Sequence, residues 1–295
     1  MEKEVKENYI EAGKVIQKAR KKAREVAEPG TSFVEIAETV EQLIRDEGLQ
    51  PAFPVNLSVN EEAAHFTPAE DTERKLQEDD VLKIDIGAQS EGYIADTALT
   101  VNPSGKDQEI IDEVEKVLEE ALDFLEPGVT VGELGTFIEK QVPDEYNIVQ
   151  NLTGHSLGNY NQHAGLSIPN KANTNSYEFQ EGDAVAIEPF LTTGTGTVKN
   201  GRDGNIYKLE SERSVRSRTA RQLMKKIKNY RGLPFTTRWM DLSGKEKMAF
   251  RKLLQQNIVR NYPVLQDKDG SVVAQAEHTV LVGADDGENV VTTRR

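Results

Sequence analysis

The sequence predicts a mixed α/β (α+β) chain built from two related halves packed about a pseudo-two-fold axis, with a basic helical insert in the second half. Three observations predict it. First, "EPGTSFVEIAETVEQ", starting at Glu28, returns as "EPGVTVGELGTFIEK", starting at Glu126, an offset of 98 residues. Second, each copy lies within two helical patterns that are followed by strand-like runs. Third, charge is unevenly spread. Residues 201–262 hold 16 Lys and Arg against 5 Asp and Glu, a net of +11, and the rest of the chain holds 20 against 45, a net of −25. The expected division is therefore a body of residues 1–200 and 263–295 with a basic insert at 201–262.

Composition narrows the function classes. A chain of 295 residues suits one large domain or a domain with an insertion, and 37% hydrophobic with 29% charged residues suits a soluble globular protein. The absence of Cys excludes disulfides and thiolate metal sites. The N-terminal stretch "MEKEVKENYIEAGKVIQKARKKAREV" is a charged amphipathic helix without the apolar core of a signal peptide. No apolar run approaches membrane-spanning length. The cytoplasm is the expected location.

The elements follow in order. Helices are expected over residues 10–27 and again after the Pro29–Gly30 turn, and in the second half over 109–125 and after Pro127–Gly128. Ser32 with Glu35, and Thr130 with Glu133, have capping-box spacing, which satisfies free amides at a helix start. "VLKIDIGAQSEGYIADTALTV" (81–101) reads as a hairpin around Gln89–Gly92. A turn centred between Ser90 and Glu91 would set Asp85 opposite Asp96, their Cβ atoms about 5 Å apart. Two like charges facing each other among apolar strand residues call for a cation between them.

The second half repeats this arrangement. "DVLKIDIG" (80–87) matches "DAVAIEPF" (183–190), so Asp85 falls on Glu188. "ADTALTV" (95–101) matches "AEHTVLV" (276–282), so Asp96 falls on Glu277. Pseudo-symmetry would gather these four carboxylates in one place. "GHSLGNYNQHAG" (154–165), a polar glycine-rich loop or broken strand, holds two of the four histidines. His155 is expected to fall where the first half has Asn60, breaking the symmetry as a single imidazole ligand would. Four carboxylates and one imidazole are hard ligands with one borderline nitrogen. They suit two adjacent Mn, Co, Fe or Zn ions.

"FPVNLSVNEEAAHFTP" with His65, "DIG" and "ADTA" with Asp85 and Asp96, "GHSLGNYNQHAG" with His155 and His163, "AIEPF" with Glu188 and "AQAEHTV" with Glu277 together resemble the methionine aminopeptidases. The match runs along nearly the whole chain. It implies the pita-bread fold. The insert, with "GLPFTTRWM" (232–240) and "NYPVL" (261–265), is similar to that of the type 2 enzymes, and the short N-terminal region resembles the archaeal form. The resemblance implies that Asp96 and Glu277 bridge two metals, that Asp85 completes one, and that His155 and Glu188 complete the other. Glu188 would also take the proton of the attacking water, and His163 would stabilise the oxyanion. His65 would bond the scissile amide, at the position that fumagillin-type inhibitors attack. Phe53, Phe190 and Tyr262 fall where that family builds its methionine pocket. Gln162 stands where the type 2 pattern has Ile or Leu, which would make the pocket wall more polar. His278, next to Glu277 on a strand, should face away and be structural.

The implied activity is removal of initiator methionine from nascent chains by a monomer, with a small second residue preferred. An X-Pro peptidase uses the same ligand types on the same fold, and a non-catalytic binding protein is a third class. The basic insert is read either as a surface that could touch ribosomal RNA, since clustered Lys and Arg neutralise phosphates, or as a solvated helix face.

Overall fold

The computed structural model describes residues 1–294. Two helix pairs, α1 (Lys3–Val26) with α2 (Phe33–Asp46) and α3 (Gln108–Phe124) with α4 (Val131–Gln141), each cover one face of their own half's strands. The reason is periodicity. In α1, Tyr9, Ala12, Ile16, Ala19 and Ala23 fall on one stripe, and all are buried. Ala12, Ile16, Ala19 and Ala23 pack with α2 against Ile84, Ile86 and Leu99 of the first hairpin, and Tyr9 sits with Ala52, Phe53 and Ile94. Val114, Val117, Leu118 and Ala121 of α3 do the same against Val185, Ile187 and Val280. No helix of the described residues is long and apolar enough to cross a membrane.

The internal repeat is visible bond by bond. Gly30 and Gly128 both take positive φ, +90° and +92°, where a side chain would be strained. Gly30 N–H donates to the Leu76 carbonyl and Gly128 N–H to the Phe179 carbonyl, both at 2.8 Å. One helix start later, Phe33 N–H reaches Arg74 and Val131 N–H reaches Tyr177. Thr130 and Glu133 form the full reciprocal capping box. Ser32 forms only half of one, accepting from Glu35 N–H without the return bond.

The first hairpin corrects the expected register. Its strands, Leu82–Ser90 and Tyr93–Val101, are joined by Glu91 and Gly92, whose φ values of +48° and +89° make a two-residue turn. Such a turn matches the right-handed twist of the strands. It shifts the pairing by two residues, so Asp85 lies opposite Ala98 and Asp96 opposite Gly87. The carboxylates are diagonal neighbours rather than a facing pair. A shift of two keeps both on one face, because side chains alternate with period two.

In the second half the Ala184–Ile187 strand pairs with His278–Asp285 and with Thr153–Ser156. His155 lies opposite Ala186, as Ser58 lies opposite Lys83 in the first half. Ser58, not Asn60, is therefore the counterpart of His155. Asn60 turns instead to Asp80 and Val81. Glu277 is not inside a continuous strand. It sits at a break between Val273–Gln275 and His278–Asp285, bridged to Ala98.

Residues 201–262 carry α5 (Arg218–Lys228), α6 (Gly244–Gln255) and a small core of their own around Leu223, Phe235, Phe250 and Leu253. They hang on a long antiparallel pair, Lys199–Leu209 with Val259–Gln266, whose base joins the Glu62–Ala64 strand.

Candidate metal centre

The two halves meet where the strand that carries Asp96 runs beside the break that holds Glu277. Thr97 Oγ1 donates to the Glu277 carbonyl at 2.7 Å, and Glu277 N–H donates to the Ala98 carbonyl at 3.2 Å. Asp96 N–H donates to Thr279 Oγ1, which donates in turn to the Asp96 carbonyl, both at 2.8 Å. With the backbones tied at this seam, the side chains of alternate residues project into one cavity of about 210 Å3. Asp85, Asp96, His155, Glu188 and Glu277 all line it.

One ligand atom each from Asp96, His155 and Glu277 lie within 4.8 Å of one another. His155 Nε2 stands 3.6 Å from Glu188 Oε1 and 3.8 Å from Asp96 Oδ2. Asp85 Oδ1 and Asp96 Oδ1 are buried and accept no hydrogen bond. All four carboxylates are pushed above their usual range. Burial is the first cause for each. Mutual repulsion adds to it: Asp96 raises Asp85, and Asp96 and Asp85 raise Glu188. His155 is held down to about 3, by burial and then by His163, so its imidazole is neutral and able to ligate. Buried carboxylate oxygens without donors, facing a neutral imidazole, are a donor set that a divalent cation satisfies.

Residues outside this cluster support it. Gln162 Nε2 donates to Asp96 Oδ2 at 3.2 Å. The buried Gln275 points its amide at Glu277 Oε2, 3.4 Å away. Arg20 of α1 reaches Thr97 Oγ1 and the Ala98 carbonyl behind the seam. Sequence reasoning passed over Gln275 and Arg20. Gln275 had a signal, since it lies two residues before Glu277 on the same side of an extended chain. Arg20, 77 residues from Thr97, had none.

The cavity's other walls hold the remaining candidates. Phe53, Phe190 and Tyr262 line it, joined by Ile206 and Pro234, which the sequence did not single out. Phe53 fits because position 87 is glycine: a Cβ there would come within 2.2 Å of the Phe53 ring. His65 lies edge-on to Tyr262, ring centres 5.3 Å apart, and burial, then His163, lowers its pKa to about 4. His163 stands exposed at the rim, edge-on to His155 at 4.3 Å. His278 faces away, with Nδ1 2.7 Å from Thr293 Oγ1.

Comparisons with known proteins agree with this geometry. The model of metallopeptidase family M24 matches residues 7–284. The chain is 40% identical over 294 residues to a methionine aminopeptidase of Methanocaldococcus jannaschii, covering 99% of this chain and all of that one. It is 42% identical over 296 residues to one of Archaeoglobus fulgidus, covering both completely. Among solved structures, a methionine aminopeptidase of Thermotoga maritima superposes with a TM-score of 0.72 over all of this chain and 98% of that one. At 21% identity that likeness speaks for the fold, the pita-bread fold. With its carboxylates and imidazole gathered at the seam of a duplicated fold, the chain belongs to metallopeptidase family M24.

Proposed function

We propose that the chain removes the N-terminal methionine from newly made proteins by hydrolysing the first peptide bond, with a small second residue preferred. The observation that carries this reading is a single cavity in which a buried carboxylate–imidazole cluster adjoins a wall of Phe53, Phe190, Ile206 and Tyr262. Methionine's flexible thioether suits such an apolar wall. The full-length relatives named methionine aminopeptidase point to the same substrate.

The cluster would hold two divalent ions, drawn from Mn, Co, Fe or Zn. Asp96 and Glu277 would serve both, Asp85 one, and His155 with Glu188 the other. When bound, such a pair polarises the scissile carbonyl and makes water a nucleophile at neutral pH. The chain's own residues do the rest. Glu188, whose carboxyl is pushed upward by burial and by Asp96, takes the proton of the attacking water and passes it to the leaving amine. His163, at the rim, donates a hydrogen bond to the developing oxyanion. His65 is neutral near pH 7 and bonds the scissile amide. Phe53, Phe190 and Tyr262 close around the methionine side chain.

The protein would act as a cytoplasmic monomer. A second, weaker contact is proposed between the basic surface of α5 and ribosomal RNA. Lys226 and Lys228 already pair with Glu246 and Glu212 at 2.7 Å, which leaves less free charge than the composition suggests. Charge reversal at Lys225, Lys226 and Lys228 should weaken ribosome association at low salt; unchanged association would end that idea.

The main test is methionine release from Met-Ala-Ser by metal-stripped protein, before and after adding Mn or Co. Glu188→Gln should lower the restored kcat by about 10²–10⁴-fold while the protein stays folded. Faster turnover of an Ala-Pro peptide would favour an X-Pro peptidase instead. No release from either, with any divalent metal, would return the chain to the class of binding proteins.

A further inference from the structure

A second buried polar cluster lies away from the metal centre. Glu41 of α2 is fully buried, and its carboxylate is held from three directions. Arg238 grips it with both terminal nitrogens, Nη1 to Oε2 at 2.7 Å and Nη2 to Oε1 at 2.8 Å. Trp239 Nε1–H donates to Oε2 at 2.6 Å, and Val55 N–H donates to Oε1 at 3.2 Å. The Arg238 side chain is only 1% exposed. Its Nε donates to the Pro68 carbonyl at 3.2 Å and Nη2 to Thr67 Oγ1 at 3.4 Å. Thr67 Oγ1 donates in turn to the Val55 carbonyl at 2.8 Å.

This cluster joins three segments that each supply a wall of the cavity. Val55 lies between Phe53 and Asn56. Thr67 and Pro68 follow His65, which is held at φ +67°, a conformation a non-glycine residue keeps only where its surroundings fix it. Arg238 follows Pro234, and the neighbouring Phe235 exchanges backbone hydrogen bonds with Tyr207, beside Ile206. The 201–262 segment also runs close to the His65 backbone, since a Cβ at Gly204 would stand 3.0 Å from the His65 carbonyl oxygen.

The internal repeat sharpens the point. Glu139 is the counterpart of Glu41 and is exposed, accepting one backbone amide, that of Ala172. Glu41 differs in being covered by Arg238 and Trp239. The structure therefore assigns Arg238, through Glu41, as a positioning residue: the buried pair sets His65 and the Ile206–Pro234 wall against Phe53, and so sets the fit of the substrate's first side chain.

This rests on the proposed activity, and the experiment separates the two. Wild type, Arg238→Lys and Trp239→Phe are compared for kcat and KM on Met-Ala-Ser, with metal affinity measured by calorimetry. Arg238→Lys keeps the charge but loses the two-pronged grip. It should raise KM about tenfold with kcat within about threefold of wild type, as expected for a displaced binding wall. Metal affinity should be unchanged. The chain's single tryptophan reports the same event, because losing the grip should shift Trp239 emission to the red. Trp239→Phe keeps an aromatic side chain but trades the indole for a smaller phenyl and deletes the Nε1–H donor, and should raise KM about threefold; it serves if Arg238→Lys does not fold. An unchanged KM in a folded variant, or KM and metal affinity weakening together, would overturn the assignment. If wild type itself ignores Met-Ala-Ser but cleaves Ala-Pro, the substrate reading fails, and the same comparison is made on that peptide.

Discussion

Asp96 and Thr279 hold each other across the seam between the halves. The Thr279 hydroxyl accepts from the Asp96 N–H and donates to the Asp96 carbonyl, each at 2.8 Å. Thr279 is fully buried, so no water replaces it. Thr279→Val keeps the shape and strands both backbone groups. It should cost about 1–3 kcal/mol of stability and loosen the backbone that aims Asp96. Denaturant unfolding and Mn titration check both; unchanged values for both would show that the seam does not depend on this pair.

Gln162 is the side-chain donor to Asp96. It leaves Oδ1 bare while fixing Oδ2, which would orient the carboxylate for a metal. Gln162→Met removes the donor with little change in volume. Mn affinity should fall by about 10–100-fold, the usual effect of losing a ligand's outer hydrogen-bond partner. Calorimetry of the metal-stripped variant decides this without recourse to activity.

The site's carboxylates should cost metal-free protein stability as pH rises, against the opposite contribution of His65, His155 and His278, whose pKa values burial lowers; comparison with Mn-loaded protein isolates the carboxylates. Asp96 titrates near pH 7 in the folded chain because burial raises it, and Asp85, Glu188 and Glu277 are raised in the same direction. An unfolded carboxyl titrates near pH 4. A folded-state pKa above the unfolded one adds stability that is full below about pH 4 and is lost as pH rises through about 7. The Tm of chelator-treated protein should therefore fall between about pH 4 and 7 relative to protein with Mn, which binds the ionised carboxylates. Parallel Tm curves with and without Mn would contradict the coupling.

Gly87→Ala tests the pocket wall. The added Cβ would meet the Phe53 ring at 2.2 Å, so the ring must move. Such overpacking costs about 1–3 kcal/mol. KM for Met-Ala-Ser should rise more than kcat falls, because Gly87 lies opposite Asp96 without supplying a ligand atom. A variant with wild-type KM would show that Phe53 does not touch the substrate.

Much of this was legible in the residues. The 98-residue repeat implied two helix–strand halves, and their paired carboxylates implied one cluster. What misled was the detail of pairing. The Glu91–Gly92 turn has the backbone twist that hairpins favour, and it moved Asp96 from opposite Asp85 to opposite Gly87. His155 proved to be the counterpart of Ser58 because strand ladders, not aligned letters, decide equivalence. Arg20, Ile206 and Pro234 carried no local pattern that marks a site.

The sequence by itself determined the elements, the duplication and the residue types that gather in the cluster, because helix stripes, caps and strand alternation are written within a few residues of one another. Only the tertiary structure decided which wall faces which. The Ile206 and Pro234 wall, the buried grip of Arg238 on Glu41 and the Thr279 tie on Asp96 join residues up to 197 positions apart. Contacts at such separation arise from packing the two halves and the 201–262 segment together, and no local period encodes them.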